Sequence, residues 1–489
     1  MQTNSSKRQW VDFQSDVTDK DVELAARESF ISVEHLKRYT TIGMATDQGK
    51  TSNVNALALL GEVTGRAPVE VGTTRFRPPY SPLAMSAITA GAVGDFWLPR
   101  RRVPADAAHH ELGAIFQDFG GWQRPDHYPR PGETAEQAAR REHLAVRRGV
   151  GLFESSPIGK IEVTGRDAGR FLHWIYANNV INLTPGKIRY GLMLNENGII
   201  MDDGVFVRGT FDSFLLSPSS GAAARVAAWL EEWRQCEFVD LDVHVADVTT
   251  AWAAFALAGP QSRVVLGRLD TDIDLDPAAF PHMSFREGTL EGAPARLMRV
   301  SFSGELQYEI QVPASYGDAL WRRLMETGAR ESITPIGIEA WLRLRIEKGY
   351  IHVGSDTDGM TVPDDIGYGV AVARRADDFV GRRSLTRPAV ARQGREQLVG
   401  LRASSPASVI PVGACVMGSG SLAPPSAKHG RVTSSCFSPV LEAPIALGMV
   451  TRGRERLGER VAVYSEGKIW RAEICSPVFY DPKGERLHA

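Results

Sequence analysis

The chain has 489 residues, of which 43% are hydrophobic and 23% charged, with a formal net charge of −2. That balance excludes a disordered or fibrous chain and, lacking a basic excess, argues against a general nucleic-acid binder. No apolar run reaches the roughly 18–20 residues that span a bilayer, and Met1 to Arg8 has no signal-peptide core, so a cytoplasmic protein without membrane contact is expected.

At ~150 residues per domain the length suggests about three domains. Residues 17–60 read as short helices. Thr18 is a candidate cap ahead of Val22, Leu24 and Ala25, and Val33, Leu36 and Tyr39 share a helical face that Gly43 should end. A third helix should begin near Thr51, followed by a Pro-rich link at 77–82. From about 107 the texture mixes α and β. Residues 161–165 read as a strand into a turn, 167–176 as a helix, and 189–208 as a hairpin turning at Asn195-Glu196-Asn197-Gly198. The basic stretch 389–395 reads as a linker. Beyond it, short strands near Val399, Val432, Leu447 and Val461 suggest a small β-barrel. The expected domains are 1–95, 96–388 and 389–489. Cys236, Cys415, Cys436 and Cys475 lie far apart with no CxxC pair, so neither a metal site nor a disulfide framework is indicated.

Two strands carry unusual carboxylates. Asp202 and Asp203 interrupt an apolar run, and adjacent strand residues face opposite ways, so only one can face a given pocket. With Glu196-Asn197 at the centre of the turn, Tyr190 lies across from Asp203. With Asn197-Gly198 there, Leu192 does, and Tyr190 is a diagonal neighbour. In the segment 301–311, Leu306, Tyr308 and Ile310 share one face and Gln307, Glu309 and Gln311 the other. A polar face of that kind suits a flat ligand with amide and amino edges, such as a pterin; without one it would simply face water.

These residues resemble those of the glycine-cleavage T-proteins. Asn195 to Asp203 is similar to their N-x-x-G-G-I-x-x-D hairpin, and Phe302-Ser303-Gly304-Glu305 with Tyr308-Glu309-Ile310 to their Y-T-G-E…x-E-I segment. His110 to Ala114 with Gly120-Gly121-Trp122, then Gly151 to Ser156, Ile346 to Tyr350, and Thr433-Ser434-Ser435 with Ser438-Pro439 match further family landmarks in order, over about 107–489. The flanking stretches Val11 to Thr18, Lys37 to Thr41, Gly43 to Thr51 and Ser476 to Pro482 resemble the C-terminal half of the α subunit of heterotetrameric sarcosine oxidase. The N-terminal helices are also similar to small [2Fe–2S] domains of the bacterioferritin-associated ferredoxin type. Those domains have cysteines where this chain has Asp12, Gln14, Asp47 and Ser52; without thiolates no cluster can be held, so residues 10–60 read as a structural remnant that packs against partners.

The resemblance implies an α+β aminomethyltransferase folate-binding fold with an N-terminal short helical domain and a C-terminal small β-barrel. It implies tetrahydrofolate as cofactor, Asp203 as the catalytic carboxylate, and Tyr190, Glu309, Phe302, Trp341 and Tyr480 in the folate pocket. Phe302 stands where the family has Tyr, and Trp341 where it has an Arg that reaches the folate tail. Flavin is expected only through a partner, a flavoprotein amine oxidase subunit with further small subunits possible in the complex, acting on a small-molecule amine. No G-x-G-x-x-G follows an N-terminal strand, so no NAD site is expected. The alternatives are a stand-alone tetrahydrofolate-dependent demethylase, a scaffold subunit, and a folate-binding iron–sulfur assembly protein; the last would need a cysteine that Lys348-Gly349-Tyr350 lacks.

Overall fold

The computed structural model describes residues 7–78, 81–92, 94–392, 394–405, 408–418 and 427–489. They form two compact units that divide between Pro99 and Arg100, and the barrel packs with the main domain within the second.

In the first unit Thr18 caps the helix Asp19–Arg27: its N–H and hydroxyl both donate to Asp21 Oδ2, at 2.8 and 2.7 Å. The helix Val33–Thr40 ends earlier than its sequence suggests. Thr41 takes the left-handed conformation (φ 63°), and Gly43 (φ 68°) only continues the turn. With the helix Asn53–Thr64 these elements enclose a core of Val22, Ala25, Leu36, Ile42, Leu59 and Leu60. The positions likened to cluster cysteines come together in a hydrogen-bonded knot. Asp12 Oδ2 accepts from Gly43 N (2.7 Å) and Ser52 Oγ (3.2 Å), and Gln14 Oε1 from Asp47 N (3.4 Å). Among the described residues no group of three His, Cys, Asp or Glu could hold a metal ion, and no helix is long and apolar enough to cross a membrane.

The second unit is built on two large sheets. One runs in the order Phe285–Leu290, Ala293–Met298, Gln307–Pro313, Trp252–Ala258, Gly151–Glu154, Thr334–Ile336, antiparallel except for its last pair. Trp252–Ala258 is almost wholly apolar because it is buried on both faces. The other sheet, ordered His244–Asp247, Ile161–Thr164, Ser213–Pro218, Ile200–Thr210, Lys187–Leu194, holds the expected hairpin. Its turn bends at Glu196-Asn197, with Gly198 N donating to Asn195 O at 2.9 Å, and Gly198 takes φ 79°. An irregularity between Met193 and Leu194 then shifts the register, so Leu192 faces Asp203 and Tyr190 faces Val205. The diagonal arrangement of Tyr190 and Asp203 is therefore the one formed.

The C-terminal strands close a barrel in the order Glu396–Ala403, Ala443–Thr451, Lys428–Ser438, Cys415–Met417, Arg460–Ser465, Lys468–Cys475. Polar contacts lock it to the helix Ile338–Glu347. Arg345 pairs with Asp356, whose Oδ1 accepts from Thr433 Oγ1 (2.5 Å) and Ser434 Oγ (2.7 Å), and Ser438 Oγ donates to Glu347. Arg147, from the helix Ala135–Arg148, donates to Glu347 Oε2, Ser303 O and Glu305 Oε1, each at 2.8 Å, and His143 Nε2 lies 2.9 Å from Glu347 Oε1. Burial alone would raise the Glu347 carboxyl; the His143 hydrogen bond, the Arg147 charge and the Ser438 hydroxyl outweigh it and hold it at about 2.

Arg147→Met takes the guanidinium from the buried Glu347 carboxylate and leaves Glu305 with Arg486 alone, whose Nη1 lies 2.8 Å from its Oε2. It should destabilise the chain by about 3–5 kcal/mol, seen as a lower midpoint in urea unfolding. A loss below ~1 kcal/mol would show instead that water solvates the pair.

Candidate functional site

A cavity of about 430 Å³ opens between the two large sheets and the helix Ile338–Glu347. Tyr190, Asp203, Phe302, Glu309 and Trp341 all line it. The hairpin explains the first two. Adjacent residues on Ile200–Thr210 point to opposite faces, so Asp203 reaches the cavity while Asp202 turns away and accepts from Ser219 N at 3.0 Å and from the Ser219 hydroxyl. Across the pair of strands, Tyr190 Oη donates to Asp203 Oδ2 at 2.8 Å. Burial and the neighbouring Asp202 charge raise the Asp203 carboxyl to about 7, against the pull of the Tyr190 hydrogen bond.

The strand Gln307–Pro313 presents the alternation read from its sequence, but its polar face is buried rather than hydrated. Gln307, Glu309 and Gln311 are 2%, 6% and 0% exposed. Glu309 Oε1 accepts from Gln311 Nε2 at 3.1 Å; burial raises the Glu309 carboxyl, and the charge of the fully buried Lys160 opposes that rise. Lys160 Nζ itself donates to Ser156 O (3.0 Å) and Ile158 O (2.9 Å). Opposite these carboxylates stands an aromatic wall. Trp341 stacks on Phe153 with centroids 4.5 Å apart and planes 7° from parallel, and Phe302 lies 6.0 Å from Trp341. No ion pair is made at Trp341; the indole contributes a flat apolar surface.

Tyr480 is not brought to the cavity. Its ring lies 4.4 Å under the Arg147 guanidinium, so it belongs to the buried ionic cluster behind the site. The other lining residues are not singled out as site residues by the sequence, although Tyr350 falls in the landmark Ile346 to Tyr350. Tyr368 sits 5.2 Å from the Tyr190 ring, with burial and the Asp203 charge pushing its phenol up to about 12. Tyr350 and His352 follow the helix Ile338–Glu347 on a loop, Arg124 and Ser217 come from the strands Trp122–His127 and Ser213–Pro218, and His282 from the turn before Phe285–Leu290. Ser155 Oγ, Ser217 Oγ and His282 Nδ1 are buried without hydrogen-bond partners, so the cavity offers unused polar atoms to a ligand.

A deep cavity with two carboxylates of raised pKa, a phenol held against one of them, and a stacked aromatic wall is suited to binding a flat heterocycle and steering a proton. A model of the GCVT N-terminal domain matches residues 105–376, more than half of the chain. The chain belongs to the aminomethyltransferase family. The glycine cleavage T-protein C-terminal barrel domain matches 396–481 and the sarcosine oxidase A3 domain 6–92 of this aminomethyltransferase-family chain. The aminomethyltransferase of Streptomyces coelicolor is 33% identical over 384 residues, covering 78% of this chain and 97% of that protein. Sarcosine oxidase subunit alpha of Rhizobium meliloti is 43% identical over 98% of this chain, and its counterpart from Corynebacterium sp. strain P-1 41% over 98%. The chain spans about half the length of these two relatives, 49% and 50%. The crystal structure of aminomethyltransferase T from Bartonella henselae superposes with a TM-score of 0.67 at 26% identity, covering 78% of this chain and 98% of that one.

The raised Asp203 carboxyl has a thermodynamic signature. With a folded-state value of about 7 against an ordinary 3.8, the folded chain binds more protons than the unfolded one inside that window, so stability falls as pH rises through it. Asp203→Asn removes the penalty. It should be more stable than the parent by about 1–2 kcal/mol at pH 8 and lose that margin below pH 4. Melting curves across pH test this; a pH-independent difference would mean the carboxyl is freely hydrated.

Proposed function

We propose that the chain is the tetrahydrofolate-dependent one-carbon transfer subunit of a sarcosine-oxidase-like N-methyl amine oxidase. It captures the iminium or formaldehyde unit made by a flavoprotein partner as 5,10-methylenetetrahydrofolate. One observation carries the reading: Asp203, held by Tyr190 at 2.8 Å, shares a cavity with Glu309. The cavity volume of about 430 Å³ lies within the ordinary range of small-ligand sites, and its unpartnered serine hydroxyls and buried carboxylates suit a heterocycle with several N–H groups. Tetrahydrofolate, when bound, supplies an amine that takes up a one-carbon unit.

The protein's part is to bind, orient and neutralise. Glu309 accepts N–H bonds from the amide and amino edge of a pterin, with Gln307 beside it. Trp341 and Phe302 cover the ring face and keep water away. Asp203 faces the remaining polar atoms of the ligand. As a carboxylate it orients an N–H and balances positive charge that develops on nitrogen; with a pKa of about 7 it can also hold that proton. Tyr190 fixes the carboxylate's direction. The amine and the flavoprotein partner enter this reading through the relatives named as sarcosine oxidase α subunits.

Asp203→Asn should lower the rate of 5,10-methylenetetrahydrofolate formation by about 10²–10⁴-fold while the affinity for tetrahydrofolate stays within about threefold. An unchanged yield would sink the assignment of Asp203. The purified chain should show no flavin absorbance and no oxidation of sarcosine until a flavoprotein partner is added; amine oxidation by the chain alone would contradict the division of labour.

A further inference from the structure

The deeply buried arginines of the second unit have strong acceptors, with one exception. Arg147 and Arg345 face carboxylates, while Arg299 and Arg375 donate to backbone carbonyls. Arg124, on the strand Trp122–His127, is 8% exposed and lines the cavity. It has only neutral side-chain partners: Nη2 donates to Gln117 Oε1 at 2.9 Å, Nη1 reaches Ser220 Oγ at 3.4 Å, and Nε has no partner. Among the described residues it makes no ion pair. The nearby Asp126 is occupied, accepting from Gln117 Nε2 at 3.0 Å and lying 2.7 Å from His127 Nδ1. The guanidinium rests 4.4 Å over the Phe119 ring, which holds it in place without neutralising it.

Burial lowers the Arg124 guanidinium to about 10, so it stays charged at neutral pH, whereas the lining histidines His282 and His352 are pushed down to about 4 and are neutral there. Among the described lining residues Arg124 is thus the cavity's only cation at neutral pH. A buried cation with an unused N–H and no counter-ion is costly until an anion arrives. Its planar fork matches a carboxylate.

We infer that Arg124 is the receptor for a ligand carboxylate in this cavity, namely the glutamyl tail of the folate. The inference rests on the folate reading above. Two sources could supply the carboxylate, the folate tail or an N-methyl amino acid. The tail is the better fit, because it belongs to the ligand that must occupy the cavity on either branch, whereas an amino-acid carboxylate would enter only with an iminium and not with formaldehyde.

The test is a tryptophan-fluorescence titration of the whole chain, parent, Arg124→Met and Arg124→Lys, with three probes: tetrahydrofolate, 6-methyltetrahydropterin and sarcosine. Arg124→Met should weaken tetrahydrofolate about 10–100-fold and leave the tail-less tetrahydropterin within about twofold. Arg124→Lys, which keeps the charge but not the fork, should lose several-fold on tetrahydrofolate alone, and it decides the matter if the Met variant fails to fold. Equal loss on both pteridines, or no loss on either, overturns the role of Arg124. Sarcosine binding that depends on Arg124 while tetrahydrofolate binding does not overturns the choice of tail. If the parent chain binds neither pteridine, the folate reading itself is wrong.

Discussion

The site depends on a guanidinium that does not line it. Arg147 reaches from the helix Ala135–Arg148 to Glu347 at the end of Ile338–Glu347, and to Ser303 and Glu305 just before the strand that bears Glu309. A buried cation with such partners fixes distances between elements far apart in sequence, because any drift strips a charge of its counter-ion in a medium that cannot solvate it. The walls bearing Trp341 and Glu309 are held together in this way. Ser438 donates to the same Glu347 carboxylate, so the barrel is bound into the arrangement. Within the sequence landmarks, Glu347, Thr433 and Ser438 are parts of this interlock, while Gly349 and Tyr350 line the cavity.

What the sequence revealed was local. Period-two alternation and turn residues sufficed for the hairpin, the polar strand and the barrel, because those signals arise between near neighbours. Register was not legible: the irregularity between Met193 and Leu194, which decides whether Tyr190 meets Asp203 head-on or diagonally, has no marker in residue type. Burial was not legible either. Gln307, Glu309 and Gln311 look like a hydrated face until other elements close over them. Tyr480 shows the opposite failure. An aromatic near the C-terminus can be placed in a family pattern, but the chain here lays it on Arg147, outside the cavity. Arg124, Tyr368 and His282 come from segments far apart in sequence, and only the fold gathers them.

The first unit is held by polar contacts between its loops. Asp12, Gln14 and Asp47 accept from backbone N–H groups, and Ser52 Oγ donates to Asp12. Hydrogen bonds between the loops do the structural work there, over a small apolar core.

The hairpin's paired aspartates have one more consequence. Asp202 and Asp203 sit back to back, separated by one peptide unit and facing different surroundings, and the charge on the first raises the pKa of the second. The groups that stabilise Asp202 are the N–H and hydroxyl of Ser219, which also lines the cavity. Those two hydrogen bonds lower the Asp202 carboxyl against its burial, so the surroundings of Asp202 bear on the carboxyl that faces the cavity.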